Sequence, residues 1–280
     1  MRNIHTDQIK ENIKEMCIEA NYQLAPDMVR ALDEAKNSEE SELGCQILEQ
    51  LEENLQVAKD DMIPICQDTG MAVVFVEIGQ DVHIEGGSLE ESINEGVRAG
   101  YEEGYLRKSV VSDPIIRENT KDNTPAVIHY QIVEGDGLKL TVAPKGFGSE
   151  NMSKIYMLKP ADGIDGVKDA VLAAVNDAGP NACPPMVVGV GIGGTFEKAS
   201  ILAKKALTRD VDSHSEIEYV KDLEDELLEK INSTGIGPGG LGGTQTALGV
   251  NVETYATHIA GLPVAVNICC HVNRHVSRMI

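Results

Sequence analysis

Apolar residues over the first sixty positions recur with a helical period. Ile9, Ile13, Met16 and Cys17 form one stripe, and Met28, Ala31, Leu32 and Ala35 begin another, so residues 4–58 are predicted to be helices. Asp60-Asp61-Met62-Ile63-Pro64 ends that region, and the period changes. Ala72-Val73-Val74-Phe75-Val76 is short, β-branched and bounded by Gly70 and Gly79, which marks a buried strand. Residues 88–107 read as a helix, with Ser88 as N-cap and Glu91 three residues later. Residues 126–133 and 138–143 read as strands joined in a hairpin by Glu134-Gly135-Asp136-Gly137. Helices are predicted over 164–178 and 196–207, with a strand at 186–190 between them. Residues 215–231 form a strongly acidic helix whose charges make a solvated face. Strands follow around 245–250 and 263–267. A helical N-terminal region followed by mixed sheets flanked by helices is an α/β (mixed α+β) chain.

Composition narrows the function. The 280 residues, 42% of them hydrophobic, suit one large domain or two small ones with a sizeable core. Lys and Arg number 24 against 45 Asp and Glu, a formal charge of −21. That balance repels phosphate backbones and anionic lipid, which leaves nucleic acid and membranes as poor partners. It also disfavours small anions at long range, so a dicarboxylate site would need its own Arg, His or metal charge. The start, Met1-Arg2-Asn3-Ile4-His5-Thr6-Asp7, has no apolar core of a signal peptide, and no apolar run approaches a membrane span. A soluble, cytoplasmic protein is expected.

Six cysteines occur and none forms a Cys-x-x-Cys pair. Cys17 and Cys45 fall inside helical patterns, as buried apolar fillers do. The others lie beside Pro, Gly or Asn: Cys66 in Pro64-Ile65-Cys66-Gln67-Asp68-Thr69-Gly70, Cys183 in Asn181-Ala182-Cys183-Pro184-Pro185, and Cys269 and Cys270 in Asn267-Ile268-Cys269-Cys270-His271-Val272-Asn273-Arg274-His275. Three thiolates from three distant segments are one short of the four that close an iron–sulfur cluster. A metal centre with an open position can bind substrate and act as a Lewis acid. Unrelated buried thiols are the alternative; zinc would use closer ligand spacing. Gln67 and Asp68, next to Cys66, are placed to hydrogen-bond whatever the metal holds.

The remaining motifs are individually weaker. Gly189-Val190-Gly191-Ile192-Gly193-Gly194 satisfies the dinucleotide pattern, but no acidic residue clearly ends a second strand roughly 20 residues on, as the ribose contact needs. The other reading is a tight strand–helix turn beside a reactive centre, with N–H groups aimed at an anion. The glycine-rich run from Gly235 to Gly243 lacks the Gly-Lys-Ser/Thr of a phosphate loop. His258 reads either as a satisfied core histidine or as a substrate and proton-exchange residue. Arg107, Arg117 and Arg274 are candidates for bidentate carboxylate recognition.

Taken together, the Cys66 and Cys183 motifs, Asn123-Thr124-Pro125-Ala126, Pro144-Lys145-Gly146-Phe147-Gly148-Ser149-Glu150-Asn151 and the 235–243 run resemble the α subunit of the iron–sulfur hydro-lyases. These are the class I fumarate hydratases and L(+)-tartrate dehydratases. The similarity runs from about residue 10 to the C-terminus. It implies one α-subunit (fumarase N-terminal-type) domain over residues 1–280. It further implies a [4Fe–4S] cluster with one iron not ligated by cysteine, held by Cys66, Cys183 and Cys270. Cys270 is preferred to Cys269 because Asn267, Cys270 and Arg274 match the family's Asn-x-x-Cys-x-x-x-Arg spacing. Substrate contacts carry over onto Gln67, Asp68, Arg107 and His258, with Asp68 and His258 as catalytic candidates.

The expected function is reversible hydration of fumarate to malate by the cluster-bearing subunit of a two-subunit enzyme. L(+)-tartrate dehydration is the alternative, and a non-catalytic iron–sulfur protein is a third reading. The expected partners are a small dicarboxylate and a β subunit, in an α2β2 heterotetramer. In the family a threonine general base belongs to a second domain or separate subunit, so no general base is assigned here.

Overall fold

A computed structural model describes residues 1–280. Its elements begin β1 (Arg2–His5), α1 (Thr6–Tyr22), α2 (Pro26–Ser38), α3 (Glu42–Asp61), β2 (Met71–Gly79), β3 (Val82–Glu85), α4 (Leu89–Glu103), β4 (Val127–Val133) and β5 (Leu138–Lys145). They continue with α5 (Phe147–Glu150), β6 (Lys154–Leu158), α6 (Gly163–Ala178), β7 (Met186–Gly193), α7 (Phe196–Ala206), α8 (Glu218–Asn232), β8 (Ala247–Tyr255), β9 (Leu262–Cys269) and β10 (Val276–Met279). The class is mixed α/β, as the periodicity predicts. Two compact units divide the chain: Met1–Ala25 with Leu55–Phe147 and Arg274–Ile280, and Pro26–Asn54 with Gly148–Asn273. No helix is long and apolar enough to cross a membrane.

The first unit is built on the sheet β10-β5-β2-β4. The predicted stripe on α1 packs with Ile93, Val97 and Tyr101 of α4 against Val74, Val76, Leu140 and Val142 of the sheet. Helix α4 keeps the predicted Ser88 cap, whose hydroxyl accepts the Glu91 N–H at 3.4 Å, and stops at Gly104 rather than at residue 107. The predicted hairpin between β4 and β5 is not formed. Strand β2 lies between them, parallel to β4 and antiparallel to β5. Its run Ala72–Val76 is buried throughout and therefore takes the centre, whereas β4 exposes Val127, Tyr130 and Ile132 as an edge strand. Residues 134–137 turn back onto the end of β2 instead, where Gly79 N donates to Gly137 O and Asp81 N to Gly135 O. Helix α4 supplies the crossover that a parallel pair requires.

The second unit is built on the sheet β6-β9-β7-β8, with β7 parallel to β8 and antiparallel to β9. Alternation along β7 sends Val188 and Val190 into a core with α6 and α8. Gly189 and Gly191 point the other way, under α7. A Cβ at Gly191 would sit 2.1 Å from Ala199 O, and one at Gly189 2.3 Å from Ala203 O. Gly189 and Gly191 are therefore strand residues that let a helix backbone lie against the sheet, not a nucleotide loop, while Gly193 (φ +95°) and Gly194 (φ +70°) make the tight turn from β7 into α7. Gly191→Val is expected to lower stability by about 3 kcal/mol, because the α7 backbone it would meet cannot yield. A urea midpoint unchanged from wild type would contradict that.

Helix α8 begins at Glu218, three residues later than predicted. Its acidic face is solvated except for Glu224, which is 2% exposed. That carboxylate accepts Ser215 N at 2.9 Å, Val252 N at 2.8 Å and the Arg209 guanidinium at 2.8 Å. Holding Ser215 N keeps residues 215–217 out of the helix.

Candidate active site

In the first unit the segment Cys66-Gln67-Asp68-Thr69-Gly70 is a turn between α3 and β2. Cys66 is partly exposed and outside any disulfide. Its Sγ accepts the Asp68 N–H at 3.4 Å. The Asp68 carboxylate is fixed at both oxygens, Oδ1 accepting Gly70 N at 3.0 Å and Oδ2 accepting Phe147 N at 2.9 Å. Gly70 has φ +76°, and a Cβ there would lie 2.7 Å from the Lys145 backbone, so only glycine closes this turn.

Beneath the turn lies a buried polar hub. The Thr69 hydroxyl accepts Arg107 N at 2.9 Å and donates to Arg107 O at 3.2 Å. The Tyr101 hydroxyl donates towards Thr69 O at 2.7 Å and Gly70 O at 3.0 Å. Burial pushes that phenol well above its ordinary range, so it stays a neutral donor. Asn123 donates to Gly70 O at 3.1 Å and accepts Ser109 N at 2.7 Å and Val110 N at 3.2 Å. Gln67, Asp68 and Arg107 are thus brought together on one backbone frame, with the Gln67 and Arg107 side chains exposed.

Arg274 behaves differently from the sequence expectation. It is 4% exposed, its Nε donates to Pro144 O at 3.2 Å, and its Nη2 donates to Asp68 O. Its Nη1 is buried without a partner. A guanidinium committed to main-chain carbonyls is not a free carboxylate fork. Arg117 is exposed in a surface loop with φ +63°.

In the second unit strand pairing decides which cysteines meet. Val187 of β7 faces Cys269 of β9. Cys183, three residues before β7, and Cys270, one residue after β9, consequently lie at the same end of the sheet. Cys269 turns inward and is 4% exposed, whereas Cys270 is partly exposed and Cys183 exposed. Cys183 adopts φ +52°, and its carbonyl lies 3.0 Å from His271 Nδ1. A carbonyl only accepts, so Nδ1 carries the proton in that bond.

The glycine-rich run packs against this turn, with Gly239 N donating to Pro184 O at 2.9 Å. Glu39 anchors the run from the other side, accepting Thr244 N at 2.9 Å, Gln245 N at 2.7 Å and Ser41 N at 2.8 Å. Burial pushes the Glu39 carboxyl up, but these N–H bonds outweigh it and its pKa is lowered. On β9, Asn267 donates to Glu150 at 2.8 Å and to Ser153 at 2.7 Å, and Lys204 pairs with Glu150.

His258 falls elsewhere. It is exposed on the 256–261 loop, and its Nδ1 accepts Ala260 N at 3.2 Å. That loop follows Tyr255, which pairs with Gly193 at the far end of β7 from Met186. The length of β7 puts roughly 20 Å between His258 and the Cys183–Cys270 end. No group of three or more His, Cys, Asp or Glu side chains is assembled as a metal site. Of the remaining cysteines, Cys17 is fully buried with its thiol pushed up to about 12 by burial, while Cys45 is only partly buried.

The fold and these turns define a mixed α/β protein in which the first unit carries a turn-borne cysteine next to a fixed carboxylate and the second carries two cysteines at one end of its sheet. The chain belongs to the fumarate hydratase (Fumerase) family, whose profile matches residues 10–279. It is 43% identical over 279 residues to a protein of Methanocaldococcus jannaschii that carries the provisional name L(+)-tartrate dehydratase subunit alpha, covering 98% of each chain. It is 33% identical over 251 residues to the L(+)-tartrate dehydratase subunit alpha of Escherichia coli strain UTI89, covering 89% of this chain and 82% of the relative. The corresponding subunit of E. coli K12 is 32% identical over 257 residues, covering 91% and 84%. The family and its named relatives are hydro-lyases.

Proposed function

We propose that this chain is the cluster-bearing α subunit of a cytoplasmic hydro-lyase that reversibly hydrates fumarate to malate together with a β subunit, as α2β2. Cys66, Cys183 and Cys270 are the proposed ligands of a [4Fe–4S] cluster with one iron free of cysteine. The observation that carries the reading is the arrangement at the β7–β9 sheet end. Cys183 and Cys270 both emerge at that end of the sheet, one just before β7 and one just after β9, and Cys269, next to Cys270, is turned into the core. The donor set suits the group: a Cys66 sulfur already accepting an N–H, and a buried cation with a spare donor two residues away through Asp68. When bound, such a cluster supplies Lewis-acid polarisation of a substrate hydroxyl through its open iron.

The chain's own residues then bind and orient. Arg107 and Gln67, exposed on one frame, are proposed to hold a substrate carboxylate. Both Asp68 oxygens already accept N–H bonds, which keeps the carboxylate fixed; a lone pair on either oxygen remains for the substrate. His258, at the far end of its own sheet, can reach a cluster site only on another copy of the chain. The α2β2 assembly supplies that copy.

A second reading, L(+)-tartrate dehydration, is favoured by the names of the relatives. Anaerobically reconstituted α chain, alone and with its β partner, should be assayed with fumarate and with L(+)-tartrate. Negligible turnover is expected from α alone and fumarate hydration from the pair. A preference for tartrate replaces the first reading with the second. Turnover of neither by the loaded pair overturns both.

A further inference from the structure

We propose that Arg274 is the positioning residue for the Cys66 sulfur: its buried guanidinium clamps Asp68 so that the Asp68 N–H stays on Cys66 Sγ, and it keeps one donor for the anionic sulfur site. This rests on Cys66 being a cluster ligand. Arg274 bridges two segments that also meet through Asp68. Its Nε holds Pro144 O at 3.2 Å and its Nη2 holds Asp68 O, while Asp68 Oδ2 accepts the N–H of Phe147, three residues after Pro144. One ring of bonds therefore runs from Arg274 through Asp68 and Phe147 back to Pro144. Within that ring both carboxylate oxygens and the carbonyl of Asp68 are committed. Its N–H points at Cys66 Sγ, 3.4 Å away.

Two features make this more than bracing. Both direct partners of Arg274 are carbonyls, so no ion pair neutralises the cation, and a buried unpaired charge is costly unless an anion is present. Its Nη1 is buried and unpartnered, the kind of group a buried anion satisfies. A ligating thiolate is such an anion. Hydrogen bonds to cluster sulfurs, and positive charge near them, stabilise the reduced cluster and raise its potential.

Lysine keeps the charge but cannot bridge two carbonyls in one plane. Arg274→Lys and Phe147→Pro are therefore the variants, made in the full chain and reconstituted anaerobically beside wild type. Phe147→Pro deletes the N–H on Asp68 Oδ2 without touching Arg274, at the first position of a helical turn, where proline is tolerated. The readings are apo-chain melting temperature, iron content, cluster reduction potential and rate of cluster loss in air. Both variants should load with iron, show a more negative potential and lose the cluster about 10-fold faster. A folded, loaded variant with wild-type potential and loss rate overturns the proposal; if Arg274→Lys does not fold, Phe147→Pro alone decides. Wild type that takes up no cluster overturns the ligand assignment and this proposal together, and that result is distinct from a loaded wild type with an unshifted variant.

Discussion

Replacement of Cys66, Cys183 or Cys270 by alanine is expected to leave the anaerobically reconstituted chain with iron near zero, whereas Cys269→Ala, Cys17→Ala and Cys45→Ala retain it. A three-thiolate cluster has no spare cysteine ligand, so losing one leaves at most two. The contrast between neighbouring residues is the sharpest part. Cys269 occupies an inward position of β9 opposite Val187, and its loss is a small cavity costing about 1 kcal/mol. Cys270, one residue on, leaves the strand partly exposed at the end where Cys183 also emerges. Iron and sulfide analysis of the six variants reads the result directly. Iron lost from Cys269→Ala but kept by Cys270→Ala would move the ligand by one residue and reverse the inside–outside assignment of the strand end.

Why the sequence reads so well at some places and poorly at others has a physical basis. Helical stripes are local, so Ile9, Ile13, Met16 and Cys17 point to their buried face without knowledge of anything else. The pairing of β4 is not local. Two apolar runs joined by Glu134-Gly135-Asp136-Gly137 look like a hairpin, and only competition for the sheet centre by the buried run Ala72–Val76 of β2 separates them. The glycines at 189 and 191 mislead for a related reason. Spacing shows that no side chain is wanted there, but not whether phosphate or helix backbone fills the space.

At the site, Cys66, Gln67 and Asp68 are legible because a polar triplet at a turn has no packing explanation. Thr69, Tyr101 and Asn123 are not legible as a unit. Tyr101 reads as one more apolar position on α4, and its role appears only once its hydroxyl is seen beneath Gly70. Arg274 shows the opposite error. Its charge suggests a substrate clamp, but burial commits it to two carbonyls.

Mixing two inactive α chains should restore activity if His258 serves a neighbouring copy. His258→Ala retains Cys66, Cys183 and Cys270 and is expected to bind a cluster yet turn over poorly. Cys66→Ala lacks the cluster but keeps His258. The register of β7 with β8 and β9 holds His258 and the Cys183–Cys270 pair at opposite ends of one sheet, so neither can approach the other without unfolding it. Within a mixed α2 assembly, the cluster on the His258→Ala chain would meet an intact His258 from the Cys66→Ala chain. Random pairing makes half the assemblies mixed, with one competent site in two, so roughly a quarter of wild-type activity should return. Co-expression with the β partner, followed by anaerobic assay, provides the measurement. Mixed samples no more active than either parent would remove His258 from the reaction or confine each site to a single copy.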